Sequence, residues 1–574
     1  MTLDISGKKF RASALPAALA VAMLMLPCAH TLAVGDTAEL YQPTSLYYSG
    51  TYQLRENDPT LTGAGTRIAT ICRSFTYLDD QPQNDYRINV THNCLTNSNI
   101  VFAGDDDPQF TAEDISSHAT AIGGILAGSD PNGFHPDLGN FHYEGAAPEA
   151  DLTVYEFQSF LSDYIYPAVD PNTDVLTLSM GEIFSDWWTR GLESMAERDG
   201  LIVIAGIGNG SNVYDPTLYP AAGANVIGVG VIDSINSDEV ADSLNIFSLA
   251  SSEHSSSGPT DDNRCKPDIV APGNCITPDA SSPDGYAETG DWTSFATPVV
   301  AGTVSLLVQK AKQQPELAQA ATGPGSNCVM KAILMNSATK LAYWHKGKAS
   351  KDDDHTAVLD HRQGAGAINA GGAYDHLVAG KQGTGNAENI GWDNNTVGNE
   401  ENIYKIDIAE PAGQFITATL VWNRHYENAY PFEAQTKLDS DLRIELWAVD
   451  ANDPNSGYMI DHSDSKNDNV EHIYCPADPN FTSYEIVVIA GENDDSETVE
   501  RYGIAWQAAQ PSQGDQLWWY DLNTDGKIDI NDVMILFGRI RKEIDSDDGY
   551  VTGDINMDGK IDVDDLTLLI KQIQ

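Results

Sequence analysis

The chain has 574 residues, 41% of them apolar and 20% charged, which is too long for one compact domain and apolar enough for several real cores. Its 84 Asp and Glu against 32 Lys and Arg leave a formal charge of −52. A surface that acidic is repelled by phosphate backbones and anionic membranes, so nucleic-acid binding is excluded first. What supplies the surplus stays open between metal loops, a salt-adapted surface and plain solubility.

Lys8, Lys9 and Arg11 precede a 13-residue apolar run from Ala14 to Leu26, followed by Thr31-Leu32-Ala33 with small residues at both ends. A basic start, a short apolar segment and a small-residue exit form the layout of a secretory signal peptide, and the run is too short to span a bilayer. Residues 1–33 are therefore expected to be cleaved, and the mature chain to be secreted or attached to a cell surface. An uncleaved anchor or a buried N-terminal helix is the other reading. No later apolar stretch reaches membrane length, so no membrane span is expected in the mature chain. Export permits disulfides. Proximity favours Cys72 with Cys94 and Cys265 with Cys275, although sequence alone does not fix pairing.

Between residues 66 and 371, β-branched runs such as T-R-I-A-T-I (66–71) and G-L-I-V-I-A-G (200–206) alternate with small-residue helical stretches. That pattern predicts an α/β unit whose parallel sheet carries helices on both faces. From about residue 385 the strands alternate instead, as in F-I-T-A-T-L-V-W (415–422) and L-R-I-E-L-W-A-V (442–449). An antiparallel β-sandwich is expected there. The units are thus 34–384 (α/β), 385–510 (sandwich), a linker at 511–514, and a tail at 515–574.

The tail repeats itself. Asp521, Asn523, Asp525, Lys527, Asp529 and Asp532 stand at loop positions 1, 3, 5, 7, 9 and 12, and Asp554, Asn556, Asp558, Lys560, Asp562 and Asp565 repeat them 33 residues later. Gly526 and Gly559 allow the sharp turn at position 6, and each lysine offers only its backbone carbonyl. An all-oxygen cage of this spacing suits Ca²⁺. Each loop leads into a small all-α element with one apolar face: Val533, Leu536, Phe537 and Ile540, then Leu566, Leu569, Ile570 and Ile573. The duplicated tail resembles a dockerin, which implies a cohesin-type scaffold protein as partner. Positions 10 and 11 are Ile530-Asn531 and Val563-Asp564 and leave the cohesin class open. A calcium-bound cap without a partner is the alternative.

In the α/β unit, W-T-S-F-A-T-P (292–298) places Ser294 at the start of an apolar helix, where backbone N–H groups can face an oxyanion. His118 opens H-A-T-A-I-G-G-I-L-A-G, and Asn209 follows a buried strand in A-G-I-G-N-G (205–210). Singly, Ser294 and Asn209 read as caps and His118 as a core histidine. In this order, with Y-P-A-A-G-A-N-V-I-G-V-G (219–230), S-S-S-G-P-T (255–260) and K-P-D-I-V-A-P-G (266–273), they resemble the subtilisin-like serine proteases. The resemblance spans about residues 60–372. It implies a subtilisin-like sheet and a serine endopeptidase acting on polypeptide substrates. Ser294 would be the nucleophile, His118 the general base and then acid, and Asn209 the oxyanion donor beside the Ser294 N–H. Ser179, Met180 and Gly181, with Gly206 and Gly208, would line the cleft and bind an extended peptide.

One position departs from that family. G-A-G-T-R-I-A-T-I-C-R-S-F (63–75) puts Cys72 where the triad aspartate is expected, and Ser74 where the family has glycine. In a subtilisin, loss of that aspartate costs about 3 × 10⁴ in kcat. A neutral thiol does not replace it, and Asp79 or Asp80 in the following loop is the candidate third member. Two functions follow: a secreted endopeptidase anchored by its tail, or an impaired pseudoprotease that grips peptides or partners. Smaller departures are Ala121, where a second histidine is common, and Trp292, whose indole would narrow the entrance or pack on the cleft wall. The middle unit resembles the β-sandwich that follows some large subtilase catalytic domains. Its Asp439, Asp441 and Asp468 are either calcium ligands or solvated loop acids.

Overall fold

The computed structural model describes residues 41–72, 77–78, 81–82, 86–103, 115–210, 216–234, 244, 247–341, 344–347, 355–436, 440–450, 453–491 and 499–509, with single positions between 530 and 570. Residues 1–33, the linker, Ser74, Asp79, Asp80, Asp439 and all twelve tail-loop ligand positions lie outside the described residues.

Eight strands form the main sheet: β1 (Arg67–Cys72), β2 (Ile100–Ala103), β3 (Asp151–Glu156), β4 (Val175–Leu178), β5 (Ile202–Gly206), β6 (Ile227–Ser234), β7 (Phe247–Ala250) and β8 (Ile269–Pro272). Their order is β7-β6-β5-β4-β1-β3-β2, with β8 also on β6. Every pairing is parallel except β6–β7. All residues of β4, β5 and β8 are buried, because helices cover both faces, and this is why their sequences are continuously apolar rather than alternating.

Helices α1 (Ser117–Ala127), α2 (Trp187–Asp199), α3 (Thr293–Gln313), α4 (Ser326–Asn336) and α5 (Ala370–Ala379) complete this unit. α3 is buried along nearly its whole length, and α4 along all of it. The polar residues that α4 carries inside, Asn327, Lys331 and Asn336, are each hydrogen-bonded there.

Two antiparallel sheets follow, built from β9 (Ile390–Val397), β10 (Asn402–Asp407), β11 (Phe415–Trp422), β12 (Leu442–Asp450), β13 (Asp453–Ser463), β14 (Val470–Pro476), β15 (Ser483–Ala490) and β16 (Glu500–Ala509). One sheet runs β10-β15-β12-β13 behind the short strand Gly385–Asn386, and the other runs β9-β16-β11-β14. Alternating burial in β12 and β15 points one face of each at a core containing Trp422, Trp506, Tyr404 and Tyr484.

This sandwich shares apolar packing with the α/β unit, since Trp392, Val421, Val470 and Ala505 belong to the large core beneath α3 and α4. At Gly503 of β16, a Cβ would lie 2.4 Å from the Val329 nitrogen of α4, so only glycine permits that approach. Polar links accompany it: Asn327 Nδ2 donates to Asn423 Oδ1 at 2.7 Å, and Thr419 Oγ1 donates to Asn336 Oδ1 at 3.0 Å.

Neither expected disulfide forms, because Cys94, Cys265 and Cys275 are buried thiols. Cys275 faces the Thr289 hydroxyl, 3.8 Å from Sγ, while the Cys265 backbone is held by Asp468. The readings of Asp441 and Asp468 also separate. Asp441 pairs with Lys466 at 2.9 Å. Asp468 is no solvated loop acid: it is buried and accepts from the Cys265 N–H at 2.7 Å and the Ser465 hydroxyl at 2.8 Å. Burial lifts its carboxyl to about 6.

Candidate active site

Parallel register brings the ends of three strands together: Ile71 opposite Leu178, and Leu178 opposite Ala205. A crevice at the carboxyl ends of parallel strands is where α/β sheets place ligands. Cys72, Ser179 and the 207–210 segment all emerge at this edge, and α3 starts above it.

Ser294 is the second residue of α3 and is half-buried. Pro298 has no N–H to give the carbonyl four residues back, which leaves the Ser294 carbonyl available, and the Ser179 hydroxyl donates to it at 2.7 Å. In return the Ser294 Oγ lies 3.4 Å from the Ser179 carbonyl oxygen. The proline thereby couples the start of α3 to the end of β4. Because Ser294 sits in the first helical turn, its own N–H has no intrahelical acceptor.

Asn209 is exposed, yet its side chain is fixed, since its Oδ1 accepts from the Thr293 N–H at 2.9 Å and the Thr293 hydroxyl at 2.7 Å. With the oxygen anchored, the Nδ2 end is the one left for the crevice. Thr293 is a positioning residue that sequence reasoning missed. Its signal was there, one residue before Ser294 in the same motif.

His118 occupies the second position of α1, whose start is capped by Ser116 accepting from the Ala119 N–H at 3.1 Å. Its ring is half-buried and packs at 5.6 Å from Phe295, the neighbour of Ser294. Histidine, serine and asparagine thus come from three separated segments to one edge. Cys72 ends β1 at 2% exposure, inside the apolar core. No carboxylate comes from that strand position.

Of the expected cleft-lining residues, Ser179 and Met180 are buried, and Ser179 spends its hydroxyl on Ser294. Gly181 is followed by a two-way bridge between Glu182 and Tyr219, at 2.8 and 2.7 Å. Gly206 ends β5, and Gly208 adopts φ +116°, a conformation that favours glycine. Ser256 N–H donates to the Gly208 carbonyl at 2.8 Å, fixing this bend. Trp292 is 38% exposed and packs its indole 4.9 Å from the His254 ring.

The family model "Subtilase family" matches residues 56–366, more than half of the chain, and the chain belongs to that family of subtilisin-like serine proteases. Residues 519–574 match the "Dockerin type I domain" model. The chain is 32% identical over 240 residues to "Subtilisin-like protease SBT6.1" of Arabidopsis thaliana, covering 40% of this chain and 21% of that protein. It is 27% identical over 350 residues to "Serine protease AprX" of Bacillus subtilis (strain 168), covering 55% of this chain and 67% of that protein. Among solved structures, "PatG macrocyclase in complex with peptide" aligns with 14% identity and a TM-score of 0.42, over 60% of this chain and 99% of that one. Among the described residues no helix is long and apolar enough to cross a membrane.

Proposed function

We propose that the chain is a secreted serine endopeptidase that cleaves polypeptides through an acyl-enzyme on Ser294. The observation that carries this reading is the anchoring of Asn209 by Thr293, which holds an amide donor and the Ser294 N–H at one edge. In the proposed cycle Ser294 Oγ attacks the scissile carbonyl carbon while His118 takes its proton. The oxyanion is met by Asn209 Nδ2 and the Ser294 N–H. Collapse breaks the C–N bond, the amine leaves with the proton from His118, and water attacking by the same route releases the acid. Gly206, Gly208 and residues 179–181 bind the extended substrate backbone.

Residues 34–384 form the peptidase domain, 385–510 a sandwich that braces it, and 515–574 a dockerin joined by the 511–514 linker. Dockerin type I domains bind calcium, and the oxygen-only donor sets of the two tail loops fit that ion. Bound calcium would neutralise the clustered carboxylates so that the tail can fold. Leu536 and Leu569 are buried, while Ile530 and Val563, each at position 10 of its loop, are both 64% exposed. That is the distribution expected of a folded tail presenting paired residues to a cohesin-type scaffold protein.

A second reading, a pseudoprotease that grips peptides without cutting, is favoured by one observation, the buried Cys72 at the expected aspartate position. Fluorophosphonate labelling of the mature chain separates the two. The peptidase reading expects labelling of the native sequence and none of Ser294→Ala. An unlabelled native chain whose Cys72→Asp variant labels would establish the pseudoprotease.

A further inference from the structure

Three residues before Ser294 begins a cluster that the peptidase reading leaves unused. Asp233 lies near the end of β6, His254 in the loop after β7, and Asp291 just ahead of α3. One oxygen of each carboxylate and one ring nitrogen of His254 lie within 4.8 Å of one another. His254 Nδ1 stands 3.7 Å from Asp233 Oδ1, beyond hydrogen-bond reach. That nitrogen is sealed from solvent, and among the described residues none hydrogen-bonds to it.

The cluster is held from outside. The Ser234 N–H donates to Asp291 Oδ1 at 3.0 Å and the Ser234 hydroxyl to Oδ2 at 2.7 Å, leaving further lone pairs on both oxygens. Asn274 Nδ2 in turn donates to Ser234 Oγ at 3.3 Å. The His254 N–H donates to Ser251 Oγ at 2.8 Å, and Trp292 closes over the imidazole. Outer hydrogen bonds of this kind orient ligand carboxylates in metal sites. Two partly buried carboxyls around one unbonded nitrogen is an arrangement that a cation relieves.

The donor set selects the cation. Calcium and magnesium prefer oxygen alone, whereas imidazole with carboxylates suits zinc and its first-row neighbours. A tetrahedral ion with bonds of ~2.0–2.1 Å sets its ligand atoms roughly 3.3 Å apart, close to the 3.7 Å edge already present. We propose that Asp233, His254 and Asp291 bind one divalent transition-metal ion of the zinc class, with water as fourth ligand. The ion ties the end of β6, the loop after β7 and the approach to α3 into one unit, steadying the turn that presents Ser294.

The test uses the full chain saturated with calcium, so that the oxygen-only loops of the tail are filled. Cobalt(II) is added and followed by visible absorption, then displaced with zinc, whose stoichiometry is read by calorimetry. The expected result is one tetrahedral-type cobalt band, displaced by one zinc equivalent. That equivalent should weaken at least tenfold in His254→Ala and in the isosteric Asp291→Asn. His355→Ala, which alters the distant ring pair of His355 and His462, should keep it. No tetrahedral band in the native chain would overturn the proposal, as would a band unchanged in Asp291→Asn or lost in His355→Ala.

Discussion

At the carboxyl edge of the parallel sheet, Ser294 and His118 are only half-buried and Asn209 is exposed. At the amino edge, Asp268, Lys266 and Lys331 are sealed from water and linked to one another, with Lys266 Nζ 2.6 Å and Lys331 Nζ 2.9 Å from Asp268. The Gly228 N–H also donates to Asp268 at 2.7 Å, and both lysines donate to the Val226 carbonyl. Burial and the neighbouring Lys331 hold Lys266 below its ordinary range, against the pull of Asp268. The sandwich docks on this side: Arg424 N–H donates to Asn225 at 2.8 Å, and Asn469 donates to the Ala224 carbonyl at 3.1 Å. One edge leaves its polar side chains partly or fully exposed; the other satisfies them internally. A buried polar group without a partner costs stability, so the sealed groups at the amino edge are the ones tied to one another.

If the two edges divide labour in this way, substitutions at one should leave the other's property alone. The largest effect is expected at Cys72, where Cys72→Asp should raise the rate of fluorophosphonate labelling of Ser294 by about 10⁴, the size of a triad aspartate's contribution. No change in rate would mean that another carboxylate already serves His118. Next, Asp268→Asn should cost about 3–5 kcal/mol by uncompensating two buried lysines, read as a lower urea midpoint. Labelling of the fraction that remains folded should stay at the native rate. A third test is Asn209→Ala, which should slow labelling by about 10²–10³ while costing only the ~1 kcal/mol of a lost hydrogen bond at a helix start; a fall in the urea midpoint as large as that of Asp268→Asn would break the comparison.

The smallest effect concerns pH. His425 of the sandwich sits between Glu197 of α2, at 2.6 Å, and Glu500 of β16, at 3.0 Å. Those two hydrogen bonds raise it from 6.5 to about 10. The folded chain therefore holds more protons than the unfolded one between these values. Its stabilising share is full below pH 6.5 and is lost as pH rises through 10. Thermal melts in Glu197→Gln should show a flatter decline over that window than the native chain.

The strands at 66–71, 200–206, 415–422 and 442–449 were legible because burial leaves a mark on composition. Both-face burial writes a continuous apolar run, and one-face burial writes an alternating one. The motif around Ser294 was legible for another reason, since a helix start, a nucleophile and a proline lie within seven consecutive residues. Less was visible wherever partners are far apart in the chain. Asp468 looked like a loop acid because its partner, the Cys265 backbone, is 203 residues away. Cys265 and Cys275 looked pairable because they are ten residues apart, yet both remain thiols.

By itself the sequence determined the class of fold, the order of its units and the residue types that can carry acyl transfer, because these follow from local periodicity and short motifs. Only the tertiary structure decided which groups meet. It turned the missing Pro298 N–H into a link from Ser294 to Ser179, gave the Asn209 carbonyl to Thr293, and gathered Asp233, His254 and Asp291. Contacts of that kind depend on parallel register and loop return, and no local stretch of sequence encodes them.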